Sequence, residues 1–175
     1  IPAEPNMVKD FSPSAGEGWF DEDWAYRKSG SITGSAGAGT DYQINITVPY
    51  NAHMQTDFDD LRFTDAGGIN ELDYWIESYV ASTSAVVWVE FSANLDTNQG
   101  GYMYYGNSAV STTSDGNATF LFFDDFEDDS LDLAKWTVIS SGGSYTEAGG
   151  YLTVKGPSPE KIVSTVYAGY GNGYA

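Results

Sequence analysis

Hydrophobic and polar residues alternate in short runs along most of this chain, and a period of 3.6 is almost absent. In "YQINITVPY" the residues Tyr42, Ile44, Ile46 and Val48 alternate with Gln43, Asn45 and Thr47, and Pro49 closes the run. "SAVVWVEF" puts Val87, Val89 and Phe91 on one face and Val86, Trp88 and Glu90 on the other; "GYMYYGN" is a further strand ended by Gly106-Asn107. The spacers "GSAGAGT", "DAGG", "LDTNQGG" and "STTSDGN" carry turn chemistry. Helix is expected only as single turns, for instance near Leu131 to Lys135. Short strands with Gly and Asn turns predict an all-β, antiparallel, jelly-roll-like β-sandwich.

The texture changes in two places and predicts three segments. Residues 1–18, with three prolines and no periodicity, read as an arm or linker. Residues 19–114 form the sandwich domain. From Thr119 an apolar strand, an acidic loop and Gly-rich strands predict a second, incomplete sandwich over 119–175, either a fragment or completed by another chain. A start at Ile1 rather than Met fits a segment that has lost a leader or been cut from a longer protein.

The stretch 57–79, "DFDDLRFTDAGGINELDYWIESY", crowds its acids around one arginine. Phe58, Leu61 and Phe63 predict one strand, "DAGGIN" a turn, and Leu72, Tyr74 and Ile76 one face of the next strand, so the stretch reads as a hairpin. Arg62 and Arg27 are expected to be structural clamps, with Asp65 and Glu77 as the carboxylate partners of Arg62.

Charge narrows the function. Asp and Glu number 25 against 7 Lys and Arg, giving a net charge of −18, a field that repels nucleic acid and anionic lipid and suits divalent cations or neutral glycans. The 13 Tyr, 9 Phe and 5 Trp imply a packed core rather than an acidic tail. Absence of Cys excludes disulfides and thiolate chemistry, and no apolar run approaches the ~18 residues of a membrane span, so no membrane insertion is expected. The lone His53 excludes a polyhistidine metal site; no phosphate loop and no Gly-x-Ser-x-Gly elbow occurs. No catalytic residue is expected.

Binding is the remaining chemistry. Exposed rings stack on the apolar face of a pyranose while polar neighbours take its hydroxyls, which makes Trp75, Tyr79, Tyr102 and Tyr104 carbohydrate-binding candidates; most rings of such a chain fill its interior. Asp124, Asp125, Asp128 and Asp129 are candidate ligands for a structural Ca²⁺, a hard cation that takes six to eight oxygens, although the loop lacks EF-hand spacing. A solvated acidic turn is the plainer reading. Asn45-Ile-Thr47 and Asn117-Ala-Thr119 are glycosylation sequons if the chain is secreted.

Five ordered pieces carry a resemblance: Trp24-Ala-Tyr-Arg-Lys28, Asp60-Leu-Arg-Phe-Thr-Asp65, Leu72-Asp-Tyr-Trp-Ile-Glu77, Val87-Trp-Val-Glu90 and Met103-Tyr-Tyr-Gly-Asn107. Over residues 22–113 the chain resembles the domain of unknown function family 2341 of bacterial and archaeal surface proteins. Phe122-Phe-Asp-Asp-Phe126, Leu131-Asp132 and Lys135-Trp136 resemble the first strands of concanavalin A-like lectin and laminarinase-type sandwiches. The two resemblances imply an extracellular or cell-surface β protein and no known reaction; the Glu-x-Asp-x-x-Glu strand of laminarinase-type enzymes is absent. Three functions follow as expectations. The first is a noncatalytic module that binds an extracellular glycan or mediates adhesion. The second is a filament, sheath or S-layer subunit that pairs strands with other copies of itself. The third is the accessory region of a secreted glycoside hydrolase.

Overall fold

The computed structural model of the protein describes residues 19–139, 142–156 and 161–164. The chain divides into two compact units, one ending at Leu121 and one starting at Phe122.

The first unit contains β1 (Tyr26–Ile32), β2 (Tyr42–Pro49), β3 (Arg62–Asp65), β4 (Glu71–Leu72), β5 (Tyr74–Val80), β6 (Ser84–Phe91) and β7 (Gln99–Tyr105), then one helical turn, α1 (Gly116–Thr119). They build two antiparallel sheets, ordered β1-β7-β3-β4 and β2-β6-β5. Alternation explains the second sheet. Ile44 faces Val89 and Ile46 faces Val87 across β2 and β6, and from the other side Tyr74 faces Val89 and Ile76 faces Val87. Side chains opposite one another share a face, so this row makes one wall of the core. Phe63, Leu72 and Tyr105 of the first sheet supply the other wall, with Met54, Phe58 and Leu61 closing one end. The expected all-β antiparallel sandwich is what the chain adopts.

The stretch 57–79 is not the long hairpin expected from its pattern. Phe58 is fully buried but sits in a loop with a left-handed φ of 66°, and β3 begins only at Arg62. The β3–β4 ladder has two pairs, Phe63 with Leu72 and Thr64 with Glu71. Asp73 then interrupts the ladder and β5 joins the opposite sheet. Leu72 and Tyr74 both stay in the core, so the predicted apolar face is right while its neighbours lie in two different sheets.

Beyond β7, residues 111–115 run along the free edge of β5. The Ile76 N–H donates to Ser114 Oγ at 2.7 Å and the Asp115 N–H to Tyr74 O at 2.9 Å, satisfying edge groups that would otherwise attract a foreign strand. Asp115 caps α1 by accepting from the N–H groups of Asn117 and Ala118. The pattern missed this turn because "SDGN" reads as a spacer. At the other end of the sandwich Asp96 Oδ1 accepts from the Gly37 and Gly39 N–H groups at 2.8 and 3.1 Å. Those bonds hold the Asp96 carboxyl below its ordinary pKa.

The second unit contains β8 (Trp136–Ile139), β9 (Ser144–Ala148), β10 (Tyr151–Lys155) and β11 (Lys161–Ser164), paired as β8 with β11 and β9 with β10. Gly149 and Gly150, at φ 58° and 75°, make the two-residue turn between β9 and β10, where both positions require φ > 0. Trp136 packs its ring against Phe122 and Phe126 at centroid distances of 5.2 and 5.7 Å. The helical turn expected near Leu131 to Lys135 is present: Asp132 O accepts from the Lys135 and Trp136 N–H groups at 2.9 and 2.8 Å.

Candidate functional site

Arg62 is a clamp, but with partners other than those expected. Its side chain is 5% exposed, and Nη1 donates to Leu61 O at 2.6 Å and to Asp59 O at 3.1 Å, while Nη2 donates to Ser111 O at 2.8 Å. The Tyr74 hydroxyl lies 3.2 Å from Nη1, Glu71 Oε1 lies 3.5 Å from Nε, and the Trp24 ring lies 5.1 Å from the guanidinium carbon. Burial pushes the Glu71 carboxyl up against the opposing pull of Arg62. Asp65 instead closes the β3–β4 turn, where its Oδ2 accepts from the Asn70 amide at 2.6 Å. Glu77 lies on the other sheet and accepts from Trp88 Nε1 at 2.8 Å. Arg27 is held by rings: its guanidinium carbon lies 4.6 Å from the Trp19 centroid and 4.4 Å from that of Tyr102, and Nη1 donates to the Tyr104 hydroxyl at 3.2 Å.

Those contacts sort the aromatic candidates. Tyr104 is fully buried, its hydroxyl donating to Gly68 O at 2.9 Å, so it cannot offer a ring face to a sugar. Tyr102 has one face taken by Arg27. Trp75 is half-buried on the outer side of its sheet, edge-on to Phe120 at 5.9 Å, and Phe120 also meets Trp88 at 5.5 Å. Tyr79 alone of the four is exposed, at 52%.

A bulge puts Tyr79 where it is. Ile76 pairs with Val87 and Ser78 with Val86, so Glu77 is the extra residue in β5. Without the bulge, regular alternation of the same residues would put Tyr79 on the face of Trp75. With it Tyr79 pairs with Ala85 on the core side, at the sheet's end, and its ring leans on Phe58 at 6.2 Å. The kinked strand forms one wall of an open cleft of ≈ 470 Å³, to which Asp57 and Asp59 contribute from the loop before β3 and Thr112 and Ser114 from the segment along the β5 edge. Ile76, Glu77, Ser78 and Tyr79 complete the lining, so the cleft combines one half-exposed ring, one aliphatic side chain, three carboxyl groups and several hydroxyls. The turn that folds Asp57 and Asp59 toward β5 depends on the left-handed Phe58 and leaves no sequence signal.

A second cavity of ≈ 190 Å³ opens at the seam between edge strands β1 and β2, with an apolar lining that includes Ile32, Ile44, Ile46, Val48, Phe91 and Met103.

In the second unit the predicted calcium ligands mostly bond their own backbone. Asp124 Oδ1 accepts from the Phe126 N–H at 3.2 Å and its Oδ2 from Trp136 Nε1 at 2.6 Å. Asp125 Oδ1 accepts from the Glu127 N–H at 3.4 Å and Asp128 Oδ1 from the Ser130 N–H at 3.0 Å. Asp129 is exposed with a left-handed φ of 58°. Acids bonding two residues ahead make a turn, and among the described residues no group of three or more His, Asp and Glu side chains is arranged to hold a metal. The acid that sequence reasoning missed is Glu147 on β9, which is 7% exposed and whose Oε1 accepts from the same Ser130 N–H at 3.3 Å. Burial first, and then a hydrogen bond with Asp128, raise its pKa. The sequon residues Asn45 and Asn117 are both exposed.

A family described as a domain of unknown function (DUF2341) matches residues 57–139. The match starts at the acid-rich stretch and runs to the end of β8, so it lies farther toward the C-terminus than the expected 22–113. No curated protein and no solved structure matches the chain.

Proposed function

We propose that the protein is a noncatalytic carbohydrate-binding module of an extracellular or cell-surface protein, and that the cleft beside Tyr79 receives the sugar. The observation that carries this reading is the half-exposed ring of Tyr79 in one concave site with Asp57, Asp59 and Glu77. A pyranose laid on the ring buries its apolar face, and carboxylate oxygens accept from its hydroxyls. Ser114 Oγ already accepts from the Ile76 N–H and keeps its own proton to donate. The net charge of −18 favours neutral over anionic glycans. A glycan array tests the reading. Neutral glycans are expected to be retained by the wild type and lost by Tyr79→Ala, with EDTA making no difference at this cleft. Retention that survives Tyr79→Ala would place the ligand elsewhere, and no retention at all would end the proposal.

A second reading, a filament, sheath or S-layer subunit, is favoured by the open apolar seam between β1 and β2. One side of the sandwich is stitched where the chain passes from β4 to β5, whereas among the described residues the other ends in two unjoined edge strands. A strand from another copy of the chain, added at either edge, would cover the seam. Ile46→Asp is expected to abolish any assembly seen by sedimentation while glycan retention persists; assembly unaffected by it would count against the seam.

A further inference from the structure

We infer that Glu147 and Asp128 are the carboxylate ligands of a divalent-cation site in the second unit, suited to a hard ion of the calcium class. Glu147 is 7% exposed, its Oε1 shares the Ser130 N–H with Asp128 Oδ1, and its Oε2 is buried with no hydrogen-bond partner. Two carboxylates thus converge on a single neutral donor. Buried polar atoms are normally satisfied, and a buried carboxylate oxygen facing a second carboxylate is the environment that a cation relieves. Among the described ion pairs of this unit none reaches Glu147; Lys135 lies 3.9 Å from Asp132.

The donor chemistry selects the ion. Only oxygen is on offer, since the chain has no Cys and its one His, His53, belongs to the first unit. Zinc prefers nitrogen and sulfur, and magnesium demands a stricter octahedron, whereas calcium accepts two carboxylates completed by carbonyls and water. Asp124 is not needed as a ligand. It adds negative potential at Glu147 while its own oxygens accept from Trp136 and Phe126. With two carboxylates the affinity belongs to the weak extracellular class, on the order of 0.1–1 mM.

The hydrogen bond from Trp136 to Asp124 supplies an optical reporter. Terbium titrated into the full chain is expected to luminesce on tryptophan excitation and to be displaced by Ca²⁺. Trp136→Phe should remove that signal. Glu147→Gln and Asp128→Asn should each weaken it at least about tenfold, and Asp125→Asn should leave it unchanged. Thermal melting separates ligand loss from misfolding: Ca²⁺ raises the wild-type melting temperature but not that of Glu147→Gln, which in chelator melts no lower than the wild type because it removes an uncompensated charge. Terbium binding that is absent from the wild type, or equal in Glu147→Gln, overturns the proposal. So does stabilisation by acid alone with no response to Ca²⁺, which would make Glu147 and Asp128 a proton-sharing pair.

Discussion

Arg62 in the first unit and Glu147 in the second are both almost entirely withdrawn from water, and their surroundings treat them in opposite ways. The guanidinium of Arg62 meets three backbone carbonyls, a tyrosine hydroxyl, an indole face and a carboxylate. The carboxyl of Glu147 meets a shared N–H and other acids, and its Oε2 is buried with no hydrogen-bond partner. A saturated buried charge is a fixture of the fold. A half-saturated one marks a place where something is bound or a proton is held.

The largest expected effect breaks the first half of that contrast. Arg62→Ala leaves carbonyls of residues 59, 61 and 111 without their donor and should cost about 3 kcal/mol in chemical denaturation. Arg62→Lys should recover only part of this, because an ammonium cannot span the same fork of acceptors. A loss under about 1 kcal/mol would mean that the clamp is idle.

The next effect is one of sign. Asp96 has a lowered folded pKa, so its contribution is present above the ordinary value of 3.8 and is lost as pH falls through the folded value. Glu147 has a raised folded pKa, so its contribution is present below 4.5 and is lost as pH rises through the folded value. In chelator, hydrogen exchange should therefore show the loop around Gly37 and Gly39 opening on acidification below 3.8. The β9–β10 ladder should become better protected as pH falls toward 4.5. Protection that moves in the same direction in both places would remove the distinction.

The smallest expected effect concerns Tyr79. At 52% exposure its replacement by alanine should change stability by less than about 0.5 kcal/mol, so a loss of glycan retention can be assigned to the cleft. A larger loss would show that its contact with Phe58 belongs to the core instead.

What the pattern could reveal follows from distance along the chain. The inward faces of β2 and β6 were legible because alternation is a property of neighbours, and Val48, Val87 and Val89 are buried as read. The partner of Arg62 was not. Any of several nearby acids satisfied the pattern, and the choice of Glu71 depends on the Phe63–Leu72 register, while Ser111 contributes a carbonyl that no side-chain pattern encodes. Phe58 was read as strand because it is apolar; its left-handed backbone, set by the packing of the loop, decided otherwise. Tyr104 and Tyr79 look alike in sequence, and only their places in the sheets make one a buried hydrogen-bond donor and the other a half-exposed ring. Glu147 sits at an alternating position of "SYTEA", where an acid on the inner face becomes informative only once Asp128 and Ser130 are seen beside it.

The extra residue in β5 has an evolutionary consequence. Because Ser78, Tyr79 and Val80 already pair with Val86, Ala85 and Ser84, removing Glu77 would restore an unbroken ladder with β6 and leave those three residues on the faces they occupy. The cleft would lose one carboxylate and keep its ring. A lineage of such domains can therefore gain or lose this acid by a single codon, leaving both the ring of Tyr79 and the core row of Tyr74, Val87 and Val89 untouched.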